Sequence, residues 1–224
     1  MRWRHPDRGL LEASQFIELA EETGLINQIG PWVLKESCRQ LKKWQARYPA
    51  KFGPPFGICV NLSAEEIRQP HIADAVTGIL RETGVDPDLL MLEISERTAQ
   101  EDAEQTIGRL RELKDLGVKL AIDNFGTGYC SLVYLEHSLL DVLKIDRLFV
   151  HRKREDPEEC AAVISAMVSM AHSLGLAVIV EGVETKEQLV KLKEMGCEMV
   201  QGRSFAEPLP SEAVETLLRE GSSW

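Results

Sequence analysis

The sequence has little that would mark a secreted, disulfide-bonded or polyanion-binding protein. Its five cysteines are odd in number and include no Cys-x-x-Cys pair, which argues against a disulfide framework or a zinc knuckle and favours reduced thiols. Basic residues are outnumbered, 26 lysines and arginines against 36 acidic residues, and the formal net charge of -10 argues against binding a nucleic-acid polymer. No secretory signal opens the chain, so we expect a cytoplasmic protein.

Long uncharged runs are also scarce, and the one present does not predict a membrane span. Residues 161–180 carry no formal charge over about the twenty residues that a spanning helix needs. The run contains serines, His172 and Gly175, however, and its pattern changes partway. It predicts a helix that stops at Gly175, followed by a buried strand that leads to Glu181.

What the sequence does contain is a regular alternation of strands and helices. With 224 residues, 44% of them hydrophobic, we expect a single domain over residues 1–224. Strands are predicted near residues 57–61, 89–93, 118–123, 141–145, 177–181 and 198–201. Helices are predicted near residues 14–22, 31–48, 71–83, 100–115, 130–136, 157–174, 185–195 and 211–219, with Pro31 at a first helical position and a loop over 49–57. This alternation predicts an α/β fold with a parallel sheet, and six units are two short of a closed (β/α)8 barrel.

Each predicted strand runs into a polar residue at its carboxyl end. Because the carboxyl ends of parallel strands meet at one face of a barrel, we expect these side chains to share one cavity. They are Asn61, Glu93, Asp123, Lys144, Asp146, Glu181 and Gln201. The oxygen donors of this set suit Mg²⁺ or Mn²⁺ rather than zinc, since no histidine or cysteine joins them.

Lys144 stands among these carboxylates and has two interpretations. A lysine two residues before an aspartate is commonly an ordinary salt-bridge partner. Among several carboxylates it can instead orient an attacking water or stabilise charge on a phosphoryl oxygen. Two metals together with a lysine predict phosphodiester chemistry.

A glycine-containing stretch, DNFGTGYCSL, begins at Asp123, where a predicted strand ends. Two glycines with a threonine commonly mark a mobile turn. The position directly after a predicted metal ligand equally suits a lid or an interface loop. Glu96, just beyond the strand that ends at Glu93, is placed to hydrogen-bond such a loop.

Seven motifs follow one another along the chain and together carry a resemblance. They are RWRHPDRGLL (2–11), VNLS (60–63), LEISE (92–96), IDNFGTGYCSLVYL (122–135), LKIDRLFV (143–150), VEGVET (180–185) and GCEMVQG (196–202). In this order, and over nearly the whole chain, they resemble the EAL-domain family of cyclic di-GMP phosphodiesterases. The resemblance implies a TIM-barrel-like domain that binds cyclic di-GMP and, in active members, hydrolyses one phosphodiester bond with two divalent metals to give pGpG.

The same resemblance implies a role for each candidate residue. The implied metal ligands are Asn61, Glu93, Asp123, Asn124 and Glu181. The implied catalytic residues are Lys144, Glu181 and Asp123. The implied substrate-binding residues are Arg2, Asp146, Glu184 and Gln201, and Glu96 is the implied anchor of the loop after Asp123.

Two departures from the family pattern bear on catalysis. The Glu-Ala-Leu triplet that names the family, whose glutamate is a metal ligand, would precede Arg2 and is absent. With it, the first strand of the pattern and most of the second are missing, so we expect an incomplete barrel. Asn124 stands where the family has a second aspartate, and an amide without negative charge should bind Mg²⁺ more weakly.

These departures leave three hypotheses for function and three for the gap in the barrel. The first function is cyclic di-GMP binding with hydrolysis weakened or lost. The alternatives are an active phosphodiesterase whose amino-terminal residues lie upstream of this sequence, and a scaffold that binds only protein. We expect the gap to be covered by another subunit, as in a homodimer, by repacking of the amino-terminal segment, or by upstream residues.

Overall fold

Six parallel strands form the centre of the protein and follow one another in chain order. The computed structural model describes residues 1–48, 56–100, 103–127, 139–151 and 157–220. Its strands are β1 (Arg2–His5), β2 (Gly9–Glu12), β3 (Ile58–Leu62), β4 (Leu90–Ser95), β5 (Lys119–Phe125), β6 (Val142–Ile145), β7 (Ala177–Glu181) and β8 (Met199–Gln201). Strands β3 to β8 make one curled parallel sheet, whereas β1 and β2 form a separate antiparallel hairpin. The six predicted strands and the incomplete barrel are therefore confirmed, and the hairpin was not predicted.

The helices connect the strands in the way a barrel requires. They are α1 (Ile17–Glu22), α2 (Ile26–Arg47), α3 (Ala64–Ile67), α4 (Ile72–Thr83), α5 (Glu96–Gln100), α6 (Ala103–Asp115), α7 (Leu148–His151), α8 (Pro157–Ser173), α9 (Lys186–Glu194) and α10 (Ser211–Glu220). Short 3-10 turns occupy Ala13–Gln15 and Pro87–Leu89. The predicted helix near 130–136 and most of the predicted loop near 49–57 lie outside the described residues.

One helix boundary was wrong. Helix α2 begins at Ile26, so Pro31 lies inside the helix instead of at its first position. Ile26 is buried together with Leu34 and Cys38 on the same helix. Burial of that additional turn offsets the single backbone hydrogen bond that a proline removes near the start of a helix.

The sheet separates two apolar layers of unequal size. The large layer lies between the convex face of the sheet and the helices, and it includes fully buried Leu92, Ile122 and Leu143. A small layer on the concave face contains Ala121, Val142 and Ile179, with Met91 and Ala177 packed against it. Because side chains alternate along a strand, the residues two positions beyond this small layer also point into the concavity.

The two ends of the sheet, β3 and β8, are its edges, and the described strands do not close the barrel between them. Cys59 on β3 is exposed, and Met199 on β8 is 40% exposed, which shows that the concave face is open on both sides. Helix α2 packs against β3, and Arg47 at its end forms an ion pair with Glu215 of α10, which follows β8. The outer helices therefore approach each other across the gap.

Two further findings concern the remaining expectations about the chain. Within the described ranges, no helix is both long enough and apolar enough to cross a bilayer. Cys38, Cys59, Cys160 and Cys197 are free thiols, and Cys130 lies outside the described residues.

Candidate active site

The polar residues at the strand ends form one layer on the concave face of the sheet. Asn61 on β3 is the register partner of Glu93 on β4, and Glu181 on β7 is the register partner of Gln201 on β8. Register partners on adjacent parallel strands point to the same face. Lys144 on β6 projects from that face between the two pairs and reaches carboxylates on both sides.

Lys144 is the centre of the buried part of this layer. Its Nζ lies 2.9 Å from Glu93 Oε1, 3.2 Å from Asp123 Oδ1 and 2.6 Å from Glu181 Oε1. The lysine side chain is 5% exposed, and that of Glu181 is 19% exposed. Four strands thus bring one cation and three carboxylates together, and the cluster opens to solvent on the side of Glu181.

Burial and charge shift the pKa values in this cluster. Burial alone would lower the pKa of Lys144, but the negative charges of Asp123, Glu181 and Glu93 outweigh it and raise that pKa above its ordinary value. Lys144 is therefore a fixed cation at neutral pH. Burial raises the pKa of Glu181, although Lys144 opposes the shift. A carboxyl group with a raised pKa is suited to proton transfer nearer neutral pH.

A bulge in β5 sets the positions of Asp123 and Asn124. The pairing of β5 with β6 shifts between Ile122 and Phe125. Asn124 has a φ of 57°, in the left-handed region where asparagine is one of the few non-glycine residues found regularly. Its Nδ2 donates a hydrogen bond of 3.1 Å to Asp123 Oδ2. An aspartate at position 124 would add a charge and lose this bond.

The donor atoms of the layer suit a hard cation. Asp123 Oδ1 is buried and has no hydrogen-bond partner in the described part of the chain, although Lys144 Nζ lies 3.2 Å away in an ion pair. The oxygen therefore faces the lysine cation, and a carboxylate oxygen has a further lone pair that a divalent cation can use. Among the described residues, no three His, Cys, Asp or Glu side chains are arranged as a metal site, and Lys144 supplies the positive charge at the centre. The chemistry of the oxygens fits Mg²⁺ or Mn²⁺.

A large cleft lies beside this cluster, beyond the ends of β7 and β8. Its volume is about 900 Å³. It is lined by four of the predicted residues, Arg2, Glu181, Glu184 and Gln201, and by three basic residues that were not predicted, Arg147, His151 and Arg203. The cleft therefore shares Glu181 with the lysine cluster and extends from it to the hairpin.

The floor of the cleft is formed by the loop after β7 and the loop after β8, which are joined by backbone hydrogen bonds. Val183 N donates to Gln201 O over 3.0 Å, and Ser204 N donates to Val183 O over 3.0 Å. A Cβ atom on Gly202 would lie 2.0 Å from Val183 O, so only glycine permits this approach. These backbone contacts fix Gln201 and Glu184 relative to each other.

Two predicted residues lie away from the cleft. Asn61 lines a separate cavity of about 450 Å³, between β3 and the helices α1 and α2. Asp146 is buried, and its Oδ1 accepts a hydrogen bond of 2.7 Å from Leu148 N at the start of α7. The Asp146 side chain thus binds the backbone of the turn that contains Arg147.

Glu96 contacts the loop after β5. It is 2% exposed, and its Oε2 accepts hydrogen bonds from Gly126 N at 3.0 Å and from Thr127 N at 3.1 Å. The later part of this loop, residues 128–138, lies outside the described residues. The described part is fixed to the start of α5 by a buried carboxylate.

The three basic residues that were missed have different sequence signals. Arg147 and Arg203 each stand two residues beyond the last residue of a strand, β6 and β8. The rule that placed functional residues at strand ends applies to these positions too, and it could have found them. His151 ends the short helix α7, and nothing in the local pattern indicates its position.

The sequence of this chain matches a known family and several named relatives. The EAL domain family matches residues 1–208. The bifunctional diguanylate cyclase/cyclic di-GMP phosphodiesterase MucR of Pseudomonas aeruginosa is 42% identical over 212 residues, which cover 95% of this chain and 30% of that protein. The cyclic di-GMP phosphodiesterase NbdA of the same organism is 40% identical over 222 residues, covering 98% of this chain and 27% of that protein. The chain thus spans about a third or less of these relatives.

Solved structures agree with the sequence matches. The PaMucR phosphodiesterase in complex with c-di-GMP has a TM-score of 0.86 and 41% identity, covering 95% of this chain and 84% of that one. The EAL domain of Mycobacterium smegmatis DcpA has a TM-score of 0.78 and 33% identity, covering 87% and 85%. The curled sheet is therefore a half-barrel of the TIM-barrel-like EAL fold, and the chain belongs to the EAL domain family.

Proposed function

We propose that this chain is an EAL module that binds cyclic di-GMP in the 900 Å³ cleft and hydrolyses it slowly or not at all. The observation that carries the proposal is the continuity between the cleft and the buried cluster around Lys144, which share Glu181. A ligand bound in the cleft has one end beside three carboxylates and a lysine. Its other end reaches Arg2 on the hairpin.

The relatives support cyclic di-GMP as the ligand. MucR and NbdA are cyclic di-GMP phosphodiesterases by name, and the PaMucR structure contains c-di-GMP. Gln201 and Glu184 offer amide and carboxylate groups at the cleft wall. These groups can hydrogen-bond a guanine edge without any metal.

A divalent cation, Mg²⁺ or Mn²⁺, would be held by Asn61, Glu93, Asp123 and Glu181. Such an ion lowers the pKa of a bound water and polarises a phosphoryl oxygen. Lys144 would keep its proton and neutralise charge on a phosphate oxygen at the mouth of the cluster. Glu181 lines both the cluster and the cleft and would face the phosphate at that point.

Weak hydrolysis is proposed because of Asn124. Its amide brings no negative charge, and its Nδ2 group already donates to Asp123. A second cation beside Asp123 would meet an N–H donor where the family has a carboxylate. Loss of one group that stabilises the transition state commonly lowers the rate by about a hundredfold or more.

Binding and turnover can be measured separately. Calorimetry with cyclic di-GMP should show binding in EDTA and in Mg²⁺, while chromatography should find little pGpG. Gln201→Ala should weaken binding, whereas Gln105→Ala, an exposed glutamine on α6, should not. Absence of binding in both buffers would contradict the proposal and leave the protein-binding scaffold.

A second function, active phosphodiesterase, is favoured by one specific observation. Lys144, Asp123 and Glu181 are all present and in contact within the buried cluster. Turnover that rises strongly in a version extended upstream, with the same binding affinity, would establish this function. Equal and slow turnover in both versions would support the first proposal.

We also propose a cytoplasmic location and a partner on the open edges of the sheet, with a second copy as the first candidate. In the described part of the chain, strand β3 is an edge of the sheet and carries the exposed Cys59. Unprotected edge strands tend to pair with another chain. Light scattering of the purified chain tests this, and a monodisperse monomer that melts cooperatively would count against it.

A further inference from the structure

We propose that Arg147 binds a phosphate of the cyclic dinucleotide in the cleft that Arg2 also lines. The inference rests on the proposed function, since it assigns a role within the same cleft. Both arginines line this cleft, together with Glu181 and Gln201. One comes from the hairpin and the other from the segment between β6 and α7.

The backbone of Arg147 is held in place from two sides. Asp146 Oδ1 accepts a hydrogen bond from Leu148 N, which fixes the turn into α7. On the other side, a Cβ on Gly182 would lie 2.5 Å from Arg147 Cβ, and Gly182 has a φ of 77°. Glycine at 182 thus lets the segment that follows β7 pack directly on Arg147. The guanidinium projects from a rigid base.

Among the described residues, the guanidinium of Arg147 is the least engaged of the three in the cleft. Arg203 lies 3.4 Å from Glu207 Oε1 and 4.0 Å from Glu184 Oε1. Arg2 lies 3.9 Å from Glu12 Oε1. Arg147 is exposed and forms no ion pair or hydrogen bond through its side chain in the described part of the chain. All five of its N–H donors are available.

The charge balance of the cleft favours a role for an arginine that has no carboxylate partner among the described residues there. A cyclic dinucleotide carries two phosphodiester groups, each with one negative charge. The cleft already holds four carboxylates, on Glu12, Glu181, Glu184 and Glu207, in a chain with a net charge of -10. Two anionic groups will bind there only where cations face them, and the planar fork of arginine suits phosphate oxygens. Arg2 and Arg147 offer one arginine for each phosphate.

The test is calorimetry with cyclic di-GMP in EDTA, which removes any contribution from divalent metals. Arg147→Ala should weaken binding about tenfold or more, as expected for one charge-assisted hydrogen-bond pair. Arg147→Lys should recover part of the loss, because it keeps the charge without the fork. Arg111→Ala, an exposed arginine on α6, is the matched control and should bind like the parent.

A salt titration identifies the group that Arg147 contacts. Affinity of the parent should fall with added salt, and that of Arg147→Ala should fall less steeply, since one ionic contact is lost. A loss of affinity with unchanged salt dependence would mean contact with a base and would overturn the inference. Equal binding by the parent and by Arg147→Ala would overturn the inference about Arg147 and leave the proposed function intact. Absence of binding by the parent would overturn the proposed function as well.

Discussion

The lysine cluster and the cleft are neighbours that are built in different ways. The cluster is formed by side chains on β-strands, is nearly closed to solvent, and balances three carboxylates against Lys144. The cleft is formed by loops and a hairpin, is open, and contains an arginine without an ionic partner among the described residues. Strand register fixes the positions of the side chains in the cluster, whereas the shape of the cleft depends on how its loops pack. The difference suggests a rigid centre for chemistry and a separate surface for recognition.

The largest expected effect comes from breaking the cluster. Lys144→Met should lower the free energy of unfolding by about 3–5 kcal/mol at neutral pH, because it leaves buried carboxylates without their cation. The loss should shrink at pH 5, because the pKa of Glu181 is raised by burial and that carboxyl binds a proton more readily there. Urea unfolding at both pH values measures it. Lys191→Met, on the exposed face of α9, serves as the control, and equal stability of the two variants would contradict this account.

The cleft should be sensitive to its glycines instead. Gly202→Ala places a Cβ 2.0 Å from Val183 O and should destabilise the protein by about 1–3 kcal/mol through overpacking. It should also weaken cyclic di-GMP binding, since Gln201 moves with the loop. Gly78→Ala on α4 meets nothing within 4 Å and should stabilise by about 0.5–1 kcal/mol. Thermal melts of both variants test whether Gly202 packs directly on Val183 at the floor of the cleft.

Asn124→Asp tests whether the cluster can be brought closer to the family pattern. The added carboxylate should strengthen Mg²⁺ or Mn²⁺ binding by about tenfold, which corresponds to ~1.4 kcal/mol. Calorimetric titration with Mn²⁺ in the absence of nucleotide measures the change directly. An unchanged titration would show that position 124 does not face the ion, and the weakness of hydrolysis would then need another cause.

The smallest effect concerns a buried carboxyl outside both regions, Glu66 on α3. Burial raises its pKa, although hydrogen bonds from Ser63 oppose the shift. The folded state therefore binds the proton more tightly, and the stability of the parent falls as pH rises from the ordinary glutamate value through the raised one. Glu66→Gln should gain stability relative to the parent over that window, by about 1 kcal/mol or less. Glu18→Gln, an exposed control, should show no such trend.

The sequence predicted the strands and the layer on the concave face because both follow from short-range rules. Short apolar runs that end in a polar residue identified the strands, and a parallel register then brought Asn61, Glu93 and Glu181 to one face. The hairpin escaped because its two strands of four residues are mostly exposed and carry no apolar alternation. His151 escaped for another reason, since it lies beyond the strand-end positions to which the rule applies. Its place in the cleft depends on the close approach of Gly182, whose Cβ would lie 3.0 Å from His151 Nε2, and this is a long-range contact.

Helix α10 lies beyond residue 208, where the family match stops, and yet it contributes to the fold. Glu215 forms the ion pair with Arg47, and Val214, Leu217 and Leu218 are half-buried. An expression boundary drawn at the family limit would remove the ion pair that joins the last helix to α2. A shortened protein would then reveal more of its interior, and preparations intended for crystallisation or screening should keep the carboxyl-terminal tail.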